Sequence, residues 1–306
     1  MGMRQSLTQN TQNERKSSKS MKKMLIKIYY FLFDIECKIL KLFFNDYAFF
    51  SLTAKKFIIS PTIMQLRAAD RDLMGRNIRK YESVFSKLGI SNVHNGLILD
   101  IGGNLGYTAI AFRLAMRNPN INIYSFEPYP PNYTFFLKNT LKYNIMLFPF
   151  GLGNNNQIMD IGFPDYTYDI VSKDDRSNTG RVSLIGIDNA ISEQVSLKAH
   201  VVHGDNLFKT MFMSDKVTFI KIDVEGFELE VLSGLYNTIN ESMPFIQIEA
   251  NPTTMEICNT NISSFREFAK VHNYSIYLLN KGVLNFFHDD DQLPNSVCEL
   301  FFCPKK

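Results

Sequence analysis

The chain has 306 residues, of which 45% are hydrophobic and 21% charged, so it can bury a large core without disulfides or a structural metal. Its formal net charge of +3 is too small to indicate a nucleic-acid partner by itself. The four cysteines form no C-x-x-C pair, which disfavours a zinc site and favours unpaired thiols in a reducing compartment, the cytoplasm.

The N-terminal part combines a polar tail with an apolar stretch. Residues 1–20 contain no apolar run and therefore do not resemble a secretory signal. Residues 24–44 are almost long enough to cross a bilayer, but charged residues interrupt them. Lys27, Asp34 and Lys38 are spaced 7 and 4 apart, as on one face of a helix. We expect an amphipathic helix that docks on the main domain or a partner, or that lies peripherally in a membrane interface.

A second helix is predicted over 66–88, where Gly89 provides a C-cap. Residues 1–90 are therefore interpreted as a polar tail and helical extension, and residues 91–306 as the main domain. Beyond residue 90 the pattern changes to alternating strands and helices. Strands are predicted at 97–101, 121–126, 145–151, 217–223, 244–249, 274–279 and 297–302, and helices at 106–117, 132–143, 226–239 and 262–272.

This alternation predicts an α/β domain with a largely parallel, doubly wound sheet that carries helices on both faces. The segment near 157–187 interrupts the alternation. It runs from "QIMDIGFP" to "GRVSLIGI" around a polar loop, so we expect an inserted hairpin there.

The stretch "NGLILDIGGNLGYTAI" ends an apolar strand at Asp100 and continues into a glycine-rich turn before a helix. Missing side chains let the backbone approach a ligand closely, although a tight turn without a ligand explains them equally well. The dinucleotide pattern G-x-G-x-x-G does not fit, because Asn104 occupies the second glycine position. A carboxylate in such a loop repels a pyrophosphate and suits an ammonium group, which favours S-adenosylmethionine.

The next apolar strand, "INIYSF", ends at Glu127. A carboxylate at the end of the strand adjacent to the glycine turn is placed to accept hydrogen bonds from both ribose hydroxyls of a nucleoside. The position therefore supports an adenosine-containing ligand, and together the two strand ends favour S-adenosylmethionine over NAD.

A third motif, "FIKIDVEGFELEVLSGL", delivers Asp223 to the same edge of the sheet. Asp223 is predicted to orient or deprotonate an acceptor hydroxyl, although capping of the next helix or pairing with Lys221 explains it too. "FIQIEANP" adds Glu249 and Asn251 at the following strand end. With Asp223 they would offer three oxygen ligands to Mg²⁺, but we favour direct base catalysis without a metal.

Together the motifs "LDIGGNLGYTAI", "SFEP", "FGLGN", "NTGRVS", "FIKIDVEGFELEVLSG" and "IQIE" resemble the FkbM family of S-adenosylmethionine-dependent methyltransferases over about residues 95–280. The resemblance implies a Rossmann-like, class I methyltransferase sheet of seven strands with the last strand antiparallel. It implies that Asp223 and Glu225 face the acceptor. The implied cofactor-binding residues are Asp100, Gly102, Gly103, Asn104, Gly106, Tyr107, Thr108 and Glu127.

The resemblance also implies O-methylation of a hydroxyl on a sugar, a glycan or a small natural product. The alternative is a catalytically inactive methyltransferase-like protein that acts as a binding or membrane-associated scaffold. Retention of both cofactor carboxylates and of Asp223 argues against that alternative. Nucleic-acid methylation is disfavoured, because the Asn/Asp-Pro-Pro-Tyr/Phe signature and a basic patch with interleaved aromatics are absent from the sequence.

Overall fold

The computed structural model of the protein describes residues 31–40, 47–51, 56–60, 71–161, 197–212 and 216–305, together with Met24, Ile28 and Leu42. The helices are α1 (31–40), α2 (Arg71–Lys87), α3 (Tyr107–Met116), α4 (Pro130–Thr140), α5 (Gly204–Met211), α6 (Glu228–Gly234), α7 (Tyr236–Ser242), α8 (Pro252–Ile257) and α9 (Ile262–Val271), with a short 3-10 helix at Ile90–Asn92. The strands are β1 (Tyr47–Ser51), β2 (Lys56–Ser60), β3 (Gly96–Ile101), β4 (Ile121–Phe126), β5 (Ile145–Phe148), β6 (Gly151–Gly153), β7 (Gln157–Ile161), β8 (Leu197–His203), β9 (Val217–Ile222), β10 (Phe245–Ala250), β11 (Tyr274–Asn280), β12 (Val283–Phe286) and β13 (Cys298–Pro304).

Within the described residues, eight strands form the main sheet in the order β12-β11-β13-β10-β9-β3-β4-β5. The strands from β10 to β5 are parallel to one another, whereas β13 is antiparallel to both β10 and β11. Seven of the eight correspond to the predicted strands, and β12 is an additional antiparallel partner of β11. The predicted doubly wound α/β fold, with its antiparallel last strand, is confirmed.

Both faces of the sheet are covered, which explains why its central strands are apolar on both sides. Alternate residues of β3 enter different core clusters, Leu97 and Leu99 on one face and Ile98 on the other. On the Ile98 face, α2 and α3 meet through Tyr81 and Phe112, whose ring centroids are 4.5 Å apart. A ligand therefore has access mainly at the edges of the sheet, where the loops lie.

A small second sheet, in the order β6-β8-β7, packs beside α6. A Cβ atom at Gly234 would lie 1.9 Å from the carbonyl oxygen of Gly153, so only glycine allows α6 to approach β6 this closely. The single strand predicted over 145–151 is therefore wrong, because β5 and β6 belong to different sheets.

The predicted hairpin near 157–187 is described only in its first strand, β7, and the remainder lies outside the described residues. Within the described part, β7 pairs antiparallel with β8, which the sequence analysis did not predict. The helix predicted over 66–88 is described from Arg71 onward, since 61–70 also lie outside the described residues.

The single helix predicted over 226–239 is also wrong, because the chain forms α6 and α7 with a break at Leu235. Asp205 causes the second helix to start anew. Its carboxylate accepts hydrogen bonds from the backbone N–H groups of Asn237 (2.8 Å) and Thr238 (2.9 Å), and from both side chains. A buried carboxylate distant in sequence thus satisfies the N–H groups that α7 leaves unpaired.

The N-terminal extension packs on the main domain. Phe33 and Cys37 of α1 and Ile58 of β2 are buried in the core cluster that contains α2 and α3. Asn139 of α4 holds β2 by donating to the Ile59 carbonyl and accepting from its N–H group, both at 2.8 Å. Among the described residues, the structure contains no helix long and apolar enough to cross a membrane.

Candidate active site

Four neighbouring parallel strands, β4, β3, β9 and β10, bring carboxylates to the same edge of the main sheet. Glu127, Asp100, Asp223 and Glu249 lie at or next to the carboxyl ends of these strands. This edge is where open α/β sheets bind ligands. The structure therefore brings together the strand-end carboxylates that the sequence analysis singled out.

The glycine loop after β3 is held close to both neighbouring strands. Gly102 has φ +88°, and a Cβ atom there would lie 1.8 Å from the carbonyl oxygen of Asp223. At Gly103 a Cβ would lie 2.0 Å from Ser125 Oγ. Gly106, with φ +83°, precedes α3 without a side-chain cap, and Tyr107 and Thr108 are half-buried in the first turn. The loop requires glycine for packing, as well as for any ligand that it binds.

Glu127 fixes the conformation of this loop from β4. One carboxylate oxygen accepts a hydrogen bond from the N–H of Asn104 at 2.6 Å, and the other accepts from the N–H of Tyr129 at 2.8 Å. The Asn132 amide donates to Asn104 Oδ1 at 3.2 Å. Burial raises the pKa of Glu127 to about 7, although these backbone hydrogen bonds favour its ionised form.

A row of polar side chains crosses the sheet beneath the loop. Ser125, Asp100, Lys221 and Gln247 are paired in register on β4, β3, β9 and β10. Ser125 donates to Asp100 Oδ2 at 3.1 Å, and Lys221 Nζ lies 3.9 Å from Asp100 Oδ1. Burial raises the pKa of the Asp100 carboxyl to about 6, against the opposing effects of Lys221 and Ser125. Asp100 has no exposed surface, and its side chain contacts Ser125 and Lys221.

This row was not predicted from the sequence. The signal was present, since each of the four strands carries a polar residue shortly before its end in a mostly apolar run. What could not be read from one strand was the register that aligns these residues side by side.

Lys221 also anchors Asp223. Its ammonium donates to Asp223 Oδ2 at 2.8 Å, while the Asp223 side chain keeps 29% of its surface exposed. Burial alone would lower the pKa of Lys221, but the negative charges of Asp223 and Asp100 outweigh burial and raise it above its ordinary value. Lys221 is therefore a permanent buried cation between two carboxylates.

Asp223, Glu225 and Glu249 form a cluster in which each residue offers an oxygen within 4.8 Å of the others. Burial, followed by repulsion from Asp223, raises the pKa of Glu249 to about 8. The raised pKa favours the protonated form of Glu249 more than in a solvent-exposed glutamate. The arrangement combines one carboxylate tied to a cation with a second acid of raised pKa, which is suited to positioning and moving a proton.

Asn251, which was considered with Asp223 and Glu249 as a candidate metal ligand, lies beside this cluster and caps the next helix. Its Oδ1 accepts a hydrogen bond from the N–H of Thr253 at 3.1 Å and caps α8, and its amide lies 3.5 Å from Glu225 Oε2. The third residue of the oxygen cluster is Glu225.

Glu228 is a further buried acid that the sequence analysis did not single out. Its carboxylate accepts a hydrogen bond from the N–H of Gly226 at 3.0 Å and shapes the turn after Asp223. Burial raises its pKa to about 7. The signal for this role is an acidic residue in the first turn of α6, a position that favours N-terminal capping.

A cleft of about 590 Å³ opens beside the cluster, between the ends of β10 and β13 and the end of β11. Its lining includes Glu249, Leu278, Asn280, Ser296, Cys298 and Glu299. Lys80 pairs with Glu299 across 2.7 Å. The cleft thus offers hydrogen-bonding groups and short apolar surfaces next to Glu249.

The sheet order and the strand-edge site define a Rossmann-like domain of the class I methyltransferase type. Residues 100–276, more than half of the chain, match the family described as "Methyltransferase FkbM domain", and the chain belongs to this family.

The chain is also similar to individual known proteins, at low sequence identity. Hexuronic acid methyltransferase AglP from Haloferax volcanii is 26% identical over 174 residues, which cover 57% of this chain and 64% of that protein. The solved methyltransferase FkbM from Methylobacillus flagellatus is 17% identical with a TM-score of 0.42, covering 68% of this chain and 44% of that one. An O-methyltransferase from Bacillus cereus, solved in complex with SAH, is 10% identical with a TM-score of 0.37, covering 73% and 79% of the two chains. The chain thus spans less than two thirds of the first two of these relatives.

Proposed function

We propose that this protein transfers the methyl group of S-adenosylmethionine to a hydroxyl group of a sugar, either free or within a glycan. The observation that carries the proposal is the convergence of Asp223, Glu225 and Glu249 beside the glycine loop, in a member of the FkbM family. This edge offers a cofactor loop and a proton-handling group within one site.

The loop fits a cationic nucleoside better than a phosphorylated one. Residues 100–108 contain no lysine or arginine, and Asp100 and Glu127 place acidic groups below and beside them. A pyrophosphate would be repelled, whereas an ammonium and a sulfonium group would be attracted. The start of α3 after Gly106 has no side-chain cap and suits the carboxylate of the ligand.

The remaining predicted residues, Gly102, Gly103, Asn104, Tyr107 and Thr108, would line the ligand, and Glu127 would accept hydrogen bonds from its ribose. When bound, S-adenosylmethionine supplies an electrophilic methyl group, and the reaction leaves S-adenosylhomocysteine and the methyl ether of the acceptor.

The residues of this chain then have to position a hydroxyl and remove its proton. Asp223 would accept this proton, because its side chain is partly exposed and only its Oδ2 pairs with Lys221. Lys221 fixes the orientation of the carboxylate. Glu249, whose pKa is raised, would hold the acceptor or Asp223 by a hydrogen bond when it carries a proton. General-base assistance of this kind contributes about 10²–10⁴-fold to a rate.

The acidic cluster favours a neutral hydroxyl over a carboxylate as the acceptor. The name of the Haloferax relative refers to a hexuronic acid, and this points to a sugar as the acceptor class. However, a uronate carboxylate would be repelled by Asp223 and Glu225, and it would need no base. We therefore infer that the acceptor oxygen belongs to a hydroxyl.

Methyl transfer from labelled S-adenosylmethionine to matched pairs of neutral sugars and uronic acids tests this proposal. We expect label in a methyl ether, which survives mild alkali. Label released by mild alkali would indicate a methyl ester and would overturn the hydroxyl assignment. If the cofactor binds but no sugar, lipid or peptide fraction of a cell extract gains label, the protein is an inactive binding module.

A magnesium-assisted version is a second candidate, because the three clustered carboxylates are hard oxygen ligands. We favour the metal-free version, in which Lys221 already balances the charge of Asp223. Treatment with EDTA distinguishes the two versions: unchanged turnover supports the metal-free one, and a loss that Mg²⁺ restores supports the metal.

A further inference from the structure

We propose that the exposed face of α1 binds the surface of an anionic membrane. The proposal starts from the orientation of α1, which its buried side chains determine. Phe33 and Cys37 are buried against the main domain, with 3% and 0% exposure, in the cluster that contains Tyr81 and Ile58. The opposite face of the helix therefore points away from the domain.

That outward face is apolar. Its exposed residues repeat at spacings of three and four, so they form one stripe along a helix. The members of this apolar stripe are Met24, Ile28, Phe31, Leu32, Ile35, Ile39 and Leu42, with exposures from 40% for Ile35 to 84% for Leu42. Monomeric proteins rarely leave so continuous an apolar surface in water without a partner for it.

The sequence immediately before the stripe is strongly basic. Residues 15–27 contain six positively charged residues and no acidic residue. These are Arg15, Lys16, Lys19, Lys22, Lys23 and Lys27. A basic segment next to an amphipathic helix matches the two attractions that hold a protein on an anionic lipid surface, namely apolar insertion and charge.

The positive charge of this segment also favours one binding partner of the apolar stripe over another. A second copy of this chain would bring the same basic segment and would be repelled by it, whereas acidic headgroups would be attracted. The arrangement predicts a helix that lies on the membrane, because the face opposite the stripe is occupied by the domain. This inference does not depend on the proposed enzymatic activity.

Sedimentation of the full-length protein with lipid vesicles tests the proposal. We expect binding to vesicles of equal parts phosphatidylcholine and phosphatidylglycerol to be about tenfold or more tighter than to phosphatidylcholine alone, and to weaken as salt is added. Equal affinity for the two vesicle compositions, or no binding to either, would overturn the proposal. This test needs only the parent protein.

A pair of matched double variants assigns the binding to the stripe. Leu32→Glu with Ile39→Glu should weaken vesicle binding by about tenfold or more. Val271→Glu with Val283→Glu changes the net charge equally at exposed apolar positions of the main domain, with 62% and 52% exposure, and should bind like the parent. Thermal melting establishes that both variants fold.

Equal loss in the two double variants would show that net charge alone controls binding, which contradicts a role for the stripe. A dimer of the parent that the first variant abolishes, in the absence of vesicle binding, would assign the stripe to a second copy and would also overturn the proposal.

Discussion

Lys221 Nζ lies 2.8 Å from Asp223 Oδ2, and the same ammonium lies 3.9 Å from Asp100 Oδ1. One buried cation therefore lies between two acids with different positions in the site. Asp100 lies below the glycine loop, whereas Asp223 faces the proposed acceptor. Lys221 thus links the residue below the glycine loop to the proposed proton acceptor through a single side chain.

We expect Lys221→Met to lower the free energy of unfolding by about 3–5 kcal/mol, because it leaves Asp100 and Asp223 without their cation. Urea unfolding measures this loss. Lys198→Met is the matched control, since Lys198 pairs with Asp160 at the surface with 68% of its side chain exposed. The control should lose less than about 1 kcal/mol. A similarly small loss at Lys221 would show that its ion pairs contribute little.

Gly102→Ala is expected to cost about 3 kcal/mol or more, because it adds the strain of a positive φ to a backbone clash with Asp223. Gly89→Ala provides the control, since Gly89 has φ +75° but no atom within 4 Å of the added Cβ. That variant should lose only about 1–2 kcal/mol. Thermal melting compares the two, and equal losses would mean that the clash relaxes without cost.

Glu127→Gln should weaken S-adenosylmethionine binding by about tenfold or more while retaining the fold. The reason is the loss of a charge-assisted hydrogen bond to the ribose, which corresponds to about 1.5–3 kcal/mol. Isothermal titration calorimetry measures the affinity. Glu256→Gln, an exposed acid on α8, should bind like the parent. Unchanged affinity in a folded Glu127→Gln variant would remove Glu127 from the cofactor site.

The stability of the ligand-free protein should fall as pH rises from about 5 to about 8. Burial raises the pKa of four carboxyls, to about 6 for Asp100, about 7 for Glu127 and Glu228, and about 8 for Glu249. In this window the folded state binds more protons than the unfolded state, so raising the pH favours unfolding. Buried His272 acts oppositely, because its pKa is lowered, but it is one group against four.

Urea unfolding at pH 5 and pH 8 tests this pH dependence, and the free energy of unfolding should be lower at pH 8 by more than about 2 kcal/mol. Glu228→Gln should reduce the difference, because its side chain no longer titrates, whereas Glu256→Gln should leave it unchanged. Greater stability at pH 8 than at pH 5 would show that these carboxyls remain ionised in the folded protein.

Asp223→Asn should reduce turnover by about a hundredfold or more and change cofactor affinity by no more than a few-fold. The variant keeps the volume of the side chain but removes the base. Steady-state kinetics and calorimetry separate the two effects, and Asp290→Asn, at an exposed position, serves as the control. Normal turnover in Asp223→Asn would make Asp223 a structural residue.

Much of the main sheet was predictable because each parallel strand is an apolar run that ends at a distinctive residue. Asp100, Glu127 and Asp223 mark three such ends, and all three lie at one edge of the sheet. The break at Leu235 was not predictable, because its cause is Asp205, about thirty residues earlier in the chain. The apolar periodicity alone continues through the break.

The site was predictable in its residue types but not in its charges. The raised pKa of Glu249 follows from its burial and from repulsion by Asp223, both of which require the fold. The position of Glu225 near Glu249 also requires the fold, because it depends on the pairing of β9 with β10. A one-dimensional pattern shows which strands end in acids, but not which of those acids lie close together.

The place of β13 has a consequence for synthesis of the protein. This strand pairs with both β10 and β11, yet the ribosome makes it after both of them. Until it emerges, those two strands lack their shared neighbour and expose unpaired backbone groups. Nascent chains in that state are vulnerable to aggregation. Closure of the sheet is therefore expected to follow translation of residues 298–304.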